Sequence, residues 1–508
     1  MIVVVGLLAF GGKDDGLSRR KSRIGAGIPA PNDDVTMPIG AKMLTEAVFR
    51  DTGLDGLLDS LKRDQGAAVS GETVALVANS LEMTGISVNR IDSILDDEDV
   101  RAEYGLGAAS PKSLYRTVER LGRNIDLVVS HLGRQLTSRY GVTLGKVLMD
   151  WTSMYFEAPA NGTVVRFGHT RDHRPDRPQV VVGLSVDQGS GMPVGLTVMP
   201  GNILDVTHFE ETFRQLLPLL PEDAMIVFDN GAYSRTNAKL IDDAGMGFLT
   251  RLQLNASDDA FVKAHRDEWE HVCNDMYVLR TKGNLGRTRF IFLSEDRRSD
   301  VLRGYRRRAE RDYDDMVNLR NALDNGKRPR KKYRVSNVFV DTYLHYRFPL
   351  AFASREAAVD HAVRTMTCGR EGIFVLLTNR PLTAEQALSI YRSRNAVETA
   401  FRDLKHGIDW RPARCTSPDA IRGRVLISFL ALFCMSMARF LYPDLRTMTA
   451  ETMVSELTSF SLTIHTRRNG QKRRIFSNFG RVIRALYGRK PPARVPSAPR
   501  QAVLDRFG

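Results

Sequence analysis

Residues 391–405 read YRSRNAVETAFRDLK. Within them Tyr391, Arg394, Glu398, Phe401 and Lys405 recur at alternating steps of three and four. That spacing normally lays an apolar stripe against a core, yet four of these five residues are polar. At about 100° per residue the five share an arc of roughly 80° on one helix. The adjoining arc holds Ile390, Val397, Ala400 and Leu404, which are expected to pack on a sheet. The opposite arc, with Arg392, Asn395, Thr399, Arg402 and His406, is expected to face water. The polar stripe therefore runs along the border of a buried face. An acid there can meet carboxylates from the sheet, and a base there can reach a phosphate. An exposed helix with i,i+4 ion pairs, such as Arg394 with Glu398, fits the pattern equally well.

Working outward, two segments offer such carboxylates. TLGKVLMD, 143–150, reads as an apolar strand ending at Asp150, and AMIVFDNGAYS, 224–234, as a short strand ending on Asp229. Between them QVVVGLSVDQGSGMPVGLTVMPGN, 179–202, reads as a β-hairpin. A helix opens at Asp205, a plausible N-cap; another opens near Arg235, and GMGFLTRL, 245–252, is a further strand. This order predicts a mixed sheet covered by helices. If the two strands are neighbours, both carboxylates emerge at one edge, where ligands gather in α/β sheets. Hard oxygen donors suit Mg²⁺ or Mn²⁺, and a third acid would complete a two-metal site for in-line phosphoryl transfer. Either Asp alone is weak evidence, because turns favour Asp for local hydrogen bonding.

The chain has 508 residues, which predicts three or four structural units. Hydrophobic residues make up 43%, enough for a large core, so global disorder is excluded. Lys plus Arg number 73 against 59 Asp plus Glu, and the surplus of +14 suits a polyanion, nucleic acid or an anionic membrane. Four cysteines, Cys273, Cys368, Cys415 and Cys434, are far apart and form no CxxC pair. Neither a zinc cluster nor a disulfide framework is expected, and a reducing cytoplasm fits. The opening MIVVVGLLAF lacks the basic flank of a signal peptide. VLISFLALFCMSMA, 425–438, is shorter than the roughly 20 residues of a membrane span and reads as a buried core helix. Residues 1–140 read as helical: from Ser110 as N-cap, Leu114, Val118, Leu121, Ile125, Val128 and Leu132 recur at helical spacing, in either a DNA-binding helix or a packing helix. GKRPRKKYR, 326–334, is a strongly basic block, either a solvated loop or one that contacts phosphate. His169 and His173 belong to a loop without metal, Asp187 to a turn, and Glu157 to an outer or surface position.

The pattern Y-x2-R-x3-E-x6-K, filled by Tyr391, Arg394, Glu398 and Lys405, resembles the YREK signature of bacterial insertion-sequence transposases of the DDE class. MDWTSMYFE (149–157), GHTRDHRPDRPQVVVGLSVDQGSGMPVG (168–195), PGNILD (200–205), IVFDNGAYS (226–234) and GIFVLLTN (372–379) resemble further segments of that family, in the right order. Asn230 after the second Asp and Trp151 after the first depart from it.

The resemblance implies a ribonuclease-H-like α/β fold, a mixed sheet flanked by helices. Its expected parts are a helical DNA-binding region (1–140), catalytic segments (141–255 and 366–445) split by a β-rich insertion with a charged helix (256–365), and a basic tail (446–508). It implies that Asp150, Asp229 and Glu398 are catalytic and hold two Mg²⁺ or Mn²⁺ ions, and that Tyr391, Arg394 and Lys405 contact DNA phosphate. It implies cut-and-paste transposition in a bacterial, nucleoid-associated setting: metal-dependent hydrolysis at the element's ends, then strand transfer of the 3′-hydroxyl. The partner would be double-stranded DNA, bound by a homodimer, with no membrane and no small-molecule cofactor. Competing expectations are a catalytically silent, repurposed DNA-binding protein and a nuclease of the same fold.

Overall fold

The computed structural model describes residues 34–61, 68–82, 97–107, 109–157, 159–171, 174–326, 354–407, 417–467 and 469–488. MIVVVGLLAF, most of GKRPRKKYR, His173 and Cys415 lie outside the described residues.

The described residues open with strand β1 (Val35–Pro38) and helices α1 (Gly40–Asp51), α2 (Leu54–Ser60), α3 (Val69–Leu81) and α4 (Glu98–Glu103). Next come α5 (Pro111–Arg123) and α6 (Ile125–Tyr140). The single helix expected from Ser110 onward is thus two, broken at Asn124. Ser110 does cap α5, in a reciprocal pair with Ser113, and the predicted apolar positions are buried.

The sheet segment contains β2 (Lys146–Tyr155), β3 (Gln179–Asp187), β4 (Pro193–Pro200), α7 (Asp205–Leu216), β5 (Met225–Phe228), α8 (Arg235–Asp243) and β6 (Gly247–Leu252). It continues through α9 (Ala256–Ala264), β7 (Glu270–Cys273), β8 (Met276–Lys282), β9 (Thr288–Ser294), α10 (Glu295–Asp324), α11 (Arg355–Met366) and β10 (Ile373–Thr378). Nine strands lie in one mixed sheet, in the order β4-β3-β2-β5-β6-β10-β9-β8-β7. β5 is parallel to both β2 and β6, and the other pairings are antiparallel. This is the helix-flanked mixed sheet the ribonuclease-H-like expectation called for. The strands between 256 and 365 extend that same sheet; the long charged α10 leaves it and pairs with α11 through Ala309, Ala358, Val359 and Ala362.

The last part holds α12 (Ala384–Arg392), α13 (Asn395–Arg402), α14 (Pro418–Leu441), α15 (Ala450–Ser459), β11 (Ser461–Thr466), β12 (Lys472–Ser477) and α16 (Arg481–Tyr487). α14 is the one helix, among the described residues, long and apolar enough to cross a membrane, and most of its apolar window is buried inside the protein. It packs on α3, α5 and β4. Contact with α5 is close: a β-carbon on Gly122 would come within 1.8 Å of the Asp419 carbonyl oxygen, and one on Gly423 within 1.9 Å of that of Val118. Residues 446–488, expected as a basic tail, are folded. β11 and β12 form a hairpin, and β1 from the other end of the chain completes the three-stranded sheet β1-β11-β12.

Candidate active site

β2 and β5 run parallel, with Leu148 opposite Val227. Two residues further along each chain, this register brings Asp150 level with Asp229. β5 stops at Phe228, whereas β2 runs on to Tyr155. Asp150 is therefore inside a strand, not at its end as the apolar run suggested. It is nonetheless accessible on one side because its parallel neighbour has ended. Asp229 opens the turn that follows β5.

The third contribution comes from 391–405. Helical dihedrals persist through Ser393 and Arg394, but the ladder tightens, with Arg394, Ala396 and Val397 donating to the carbonyls of Tyr391, Ser393 and Arg394. The expected single helix is therefore split into α12, carrying Tyr391, and α13, carrying Glu398, with Arg394 at the junction. Lys405 follows in a wider π-type turn. Ile390, Val397, Ala400 and Leu404 are buried as expected, and α13 packs on β2 and β3. Asp150, Asp229, Glu398, Tyr391, Arg394 and Lys405 all line one cleft of about 650 Å³.

Arg394 dominates the electrostatics of the cleft floor. Its side chain is 8% exposed, and its guanidinium lies 3.4 Å from Asp150 Oδ2 and 3.7 Å from Asp229 Oδ1. It does not pair with Glu398 along the helix. Tyr391 donates its hydroxyl to Asp229 Oδ1 at 3.2 Å and accepts from Arg394 Nη1 at 3.2 Å. Burial raises the pKa of the Tyr391 hydroxyl, and the Asp229 charge adds to this, keeping it a donor. Burial also pushes the Asp150 carboxyl above the usual range, while Arg394, the Trp151 N–H and Arg171 pull it back. Arg394 Nε is buried with no hydrogen-bond partner.

Among the described residues, no three acid, His or Cys side chains are grouped closely enough, as they stand, to hold an ion. The donor chemistry still fits a hard divalent cation. Three carboxylates face one cleft, and the most buried of them needs a positive charge beside it. The guanidinium of Arg394 supplies that charge in this structure.

Residues 145–434, more than half of the chain, match the model of the transposase DDE domain. The chain belongs to the transposase DDE domain family. It is a DNA transposase, an enzyme that cuts DNA and transfers strands. Among solved structures it is similar to the cryo-EM structure of a piggyBac transposase synaptic complex with hairpin DNA. That likeness has 11% identity and a TM-score of 0.39, over 83% of this chain and 79% of that one, and carries no further weight here. No curated protein matches the chain.

The transposase cleft holds more cations than the YREK pattern pointed to. Arg171, Arg251, Arg392 and Arg402 line it too. Arg392, Asn395 and Arg402, placed by periodicity on the water-facing side, form part of its rim. Arg251 ends up here because β6 runs parallel to β5, with Phe228 opposite Thr250. Arg297, at the start of α10, has its pKa lowered by burial, and the nearby Arg251 charge adds to this. Arg171 comes from the loop after β2. The sequence signal for Arg171 and Arg251 was the family-like segment from 168 onward and the strand GMGFLTRL.

Other expectations resolve simply. Asp205 is not the N-cap of α7, which is Leu204; its carboxylate pairs with Arg171. Asp187 accepts from the Ser190 N–H and hydroxyl in the hairpin turn. Trp151 is buried and donates Nε1 to Thr212 Oγ1 at 3.1 Å. Glu157 is exposed, and His169 lies in a loop.

Proposed function

We propose that this transposase hydrolyses a phosphodiester at each end of its element and transfers the freed 3′-hydroxyl into target DNA, in a cut-and-paste cycle. One observation carries the reading: three carboxylates from distant segments, Asp150, Asp229 and Glu398, face a single cleft walled by arginines and Lys405. These acids would hold the divalent ions, two Mg²⁺ or Mn²⁺. When bound, such ions supply Lewis acidity at the phosphoryl oxygens and lower the pKa of a water or hydroxyl. The chain's own residues do the rest. Arg394 is the cation nearest Asp150 and Asp229, and its planar fork suits two phosphate oxygens once DNA enters. Tyr391 donates a hydrogen bond at the same place, and Lys405 adds a point charge. Burial of the floor under α13 strengthens each of these interactions relative to water.

Two ends must be joined, so the working form is a homodimer on DNA. The YREK spacing points to an insertion-sequence element, hence a bacterial cytoplasm with the protein on the nucleoid. The experiment is to incubate the chain with duplex DNA carrying the sequences that flank its own gene, with Mg²⁺ and then with chelator. New 3′-hydroxyl ends at the element boundary, lost on chelation, support the reading. A mobility shift without any metal-dependent cut would leave a silent, repurposed DNA-binding protein.

A further inference from the structure

Two segments singled out in the sequence, GHTR (168–171) and PGNILD (200–205), meet in space and act on one side chain. The amide of Gln179 ties them, donating to the His169 carbonyl at 2.9 Å and the Gly201 carbonyl at 3.0 Å. Gly168 lies so close that a β-carbon there would be 1.9 Å from the Gly201 carbonyl oxygen. The Arg171 N–H donates to Ser153 Oγ on β2 at 3.1 Å, fixing the loop to the strand that carries Asp150. The Arg171 guanidinium then forms an ion pair with Asp205. Asp205 itself is held against the turn after Asp229, where a β-carbon on Gly231 would lie 3.0 Å from Asp205 Oδ2.

We propose that this unit exists to aim Arg171 into the cleft as a phosphate-binding arginine beside Asp150, and that Asp205 is its positioning residue. Arg171 lines the cleft and is 32% exposed. Among the described residues, Asp205 is the sole side-chain partner of its guanidinium. One edge of the fork is engaged behind, and the remaining N–H groups, which have no side-chain partner among the described residues, can donate to a phosphodiester oxygen of the bound strand. Arginine suits this place because its fork can face Asp205 and a phosphate together; a lysine ammonium is a point charge with no fixed second edge. The inference rests on the DNA-cutting reading above and assigns PGNILD a purpose within it.

A double-mutant cycle tests it. Arg171→Ala, Asp205→Asn, the double variant and Arg171→Lys are compared with the unchanged chain. The readouts are affinity for duplex DNA carrying the gene's flanking sequences, single-turnover cleavage of that DNA with Mn²⁺, and the melting temperature. Asp205→Asn and Arg171→Ala should each weaken both DNA readouts by about tenfold. Asp205→Asn should have no further effect in the Arg171→Ala background, and Arg171→Lys should recover only part of the loss. Equal and independent losses from the two substitutions would overturn the proposal, because Asp205 would then act through the fold rather than through Arg171. Unchanged affinity in Arg171→Ala would overturn it as well. If the unchanged chain binds but never cuts, the hydrolytic reading fails, while the affinity cycle still decides the pair.

Discussion

Removing the Arg394 side chain would leave the Asp150 carboxylate, mostly buried, without its nearest cation. A buried charge stripped of its partner is costly, and the open side of the cleft lessens the cost. Arg394→Ala is therefore expected to lose about 1–3 kcal/mol of stability without metal. Mn²⁺ should raise its melting temperature more than it raises that of the unchanged chain, since the ion then supplies the missing charge; thermal melts with and without Mn²⁺ check this. At this scale the candidate site was largely legible. Tyr391, Arg394, Glu398 and Lys405 share the cleft with both strand-associated aspartates, as helical spacing and the strand register require. What periodicity did not show is the direction of Arg394. A helical wheel places a side chain on a face but says nothing of a charge from β2 waiting there. Arg171 and Arg251 were hidden for a related reason, because they reach the cleft through pairings between distant segments.

Among the elements, the contact of α5 with α14 is made by glycines at both helix surfaces, so the two backbones touch. Gly423→Ala must push the helices apart and is expected to cost about 3 kcal/mol, read from urea unfolding. α7 carries a second test. His208 is fully buried, shares a 2.8 Å hydrogen bond with Thr197 Oγ1 and has no partner at Nδ1. Burial, with the Arg171 charge, brings its pKa from 6.5 down to about 3. The unfolded chain therefore takes up a proton below pH 6.5 that the folded chain refuses until about pH 3. Stability from neutral His208 is complete above 6.5 and falls as the pH drops toward 3. Between pH 6.5 and 4.5 the fall is about 2–3 kcal/mol, and His208→Gln should flatten it in urea unfolding at the two pH values. Strand and hairpin patterns along 143–252 were legible as elements because apolar alternation and turn residues are local signals. Three boundaries were not: β2 overruns Asp150, the helix from Ser110 breaks at Asn124, and 391–405 tightens at Arg394. β2 is carried past Asp150 by its pairing with β3, and Arg394 meets Asp150 and Asp229 from distant strands, whereas Asn124 turns back onto the nearby Arg120 carbonyl.

Across the whole molecule, composition pointed to a polyanionic partner through the +14 charge, and the cleft directs a small part of that surplus at one place. Length suggested three or four structural units. The strands after 256 enlarge the central sheet, and the chain's C-terminal hairpin completes a sheet with β1. Such long-range pairing carries no local signature, so the basic stretch after 446 read as a tail. The arrangement makes the cleft a meeting point of β2, the turn after β5 and α13, which the fold alone brings together. The most direct test is therefore the rate of Mn²⁺-dependent cleavage of flanking DNA by Asp150→Asn, Asp229→Asn and Glu398→Gln, each confirmed folded and DNA-binding. All three rates should fall at least about a hundredfold, because each variant removes a carboxylate proposed to hold the ions. Cleavage at the unchanged rate by any one of them would contradict a shared three-carboxylate centre.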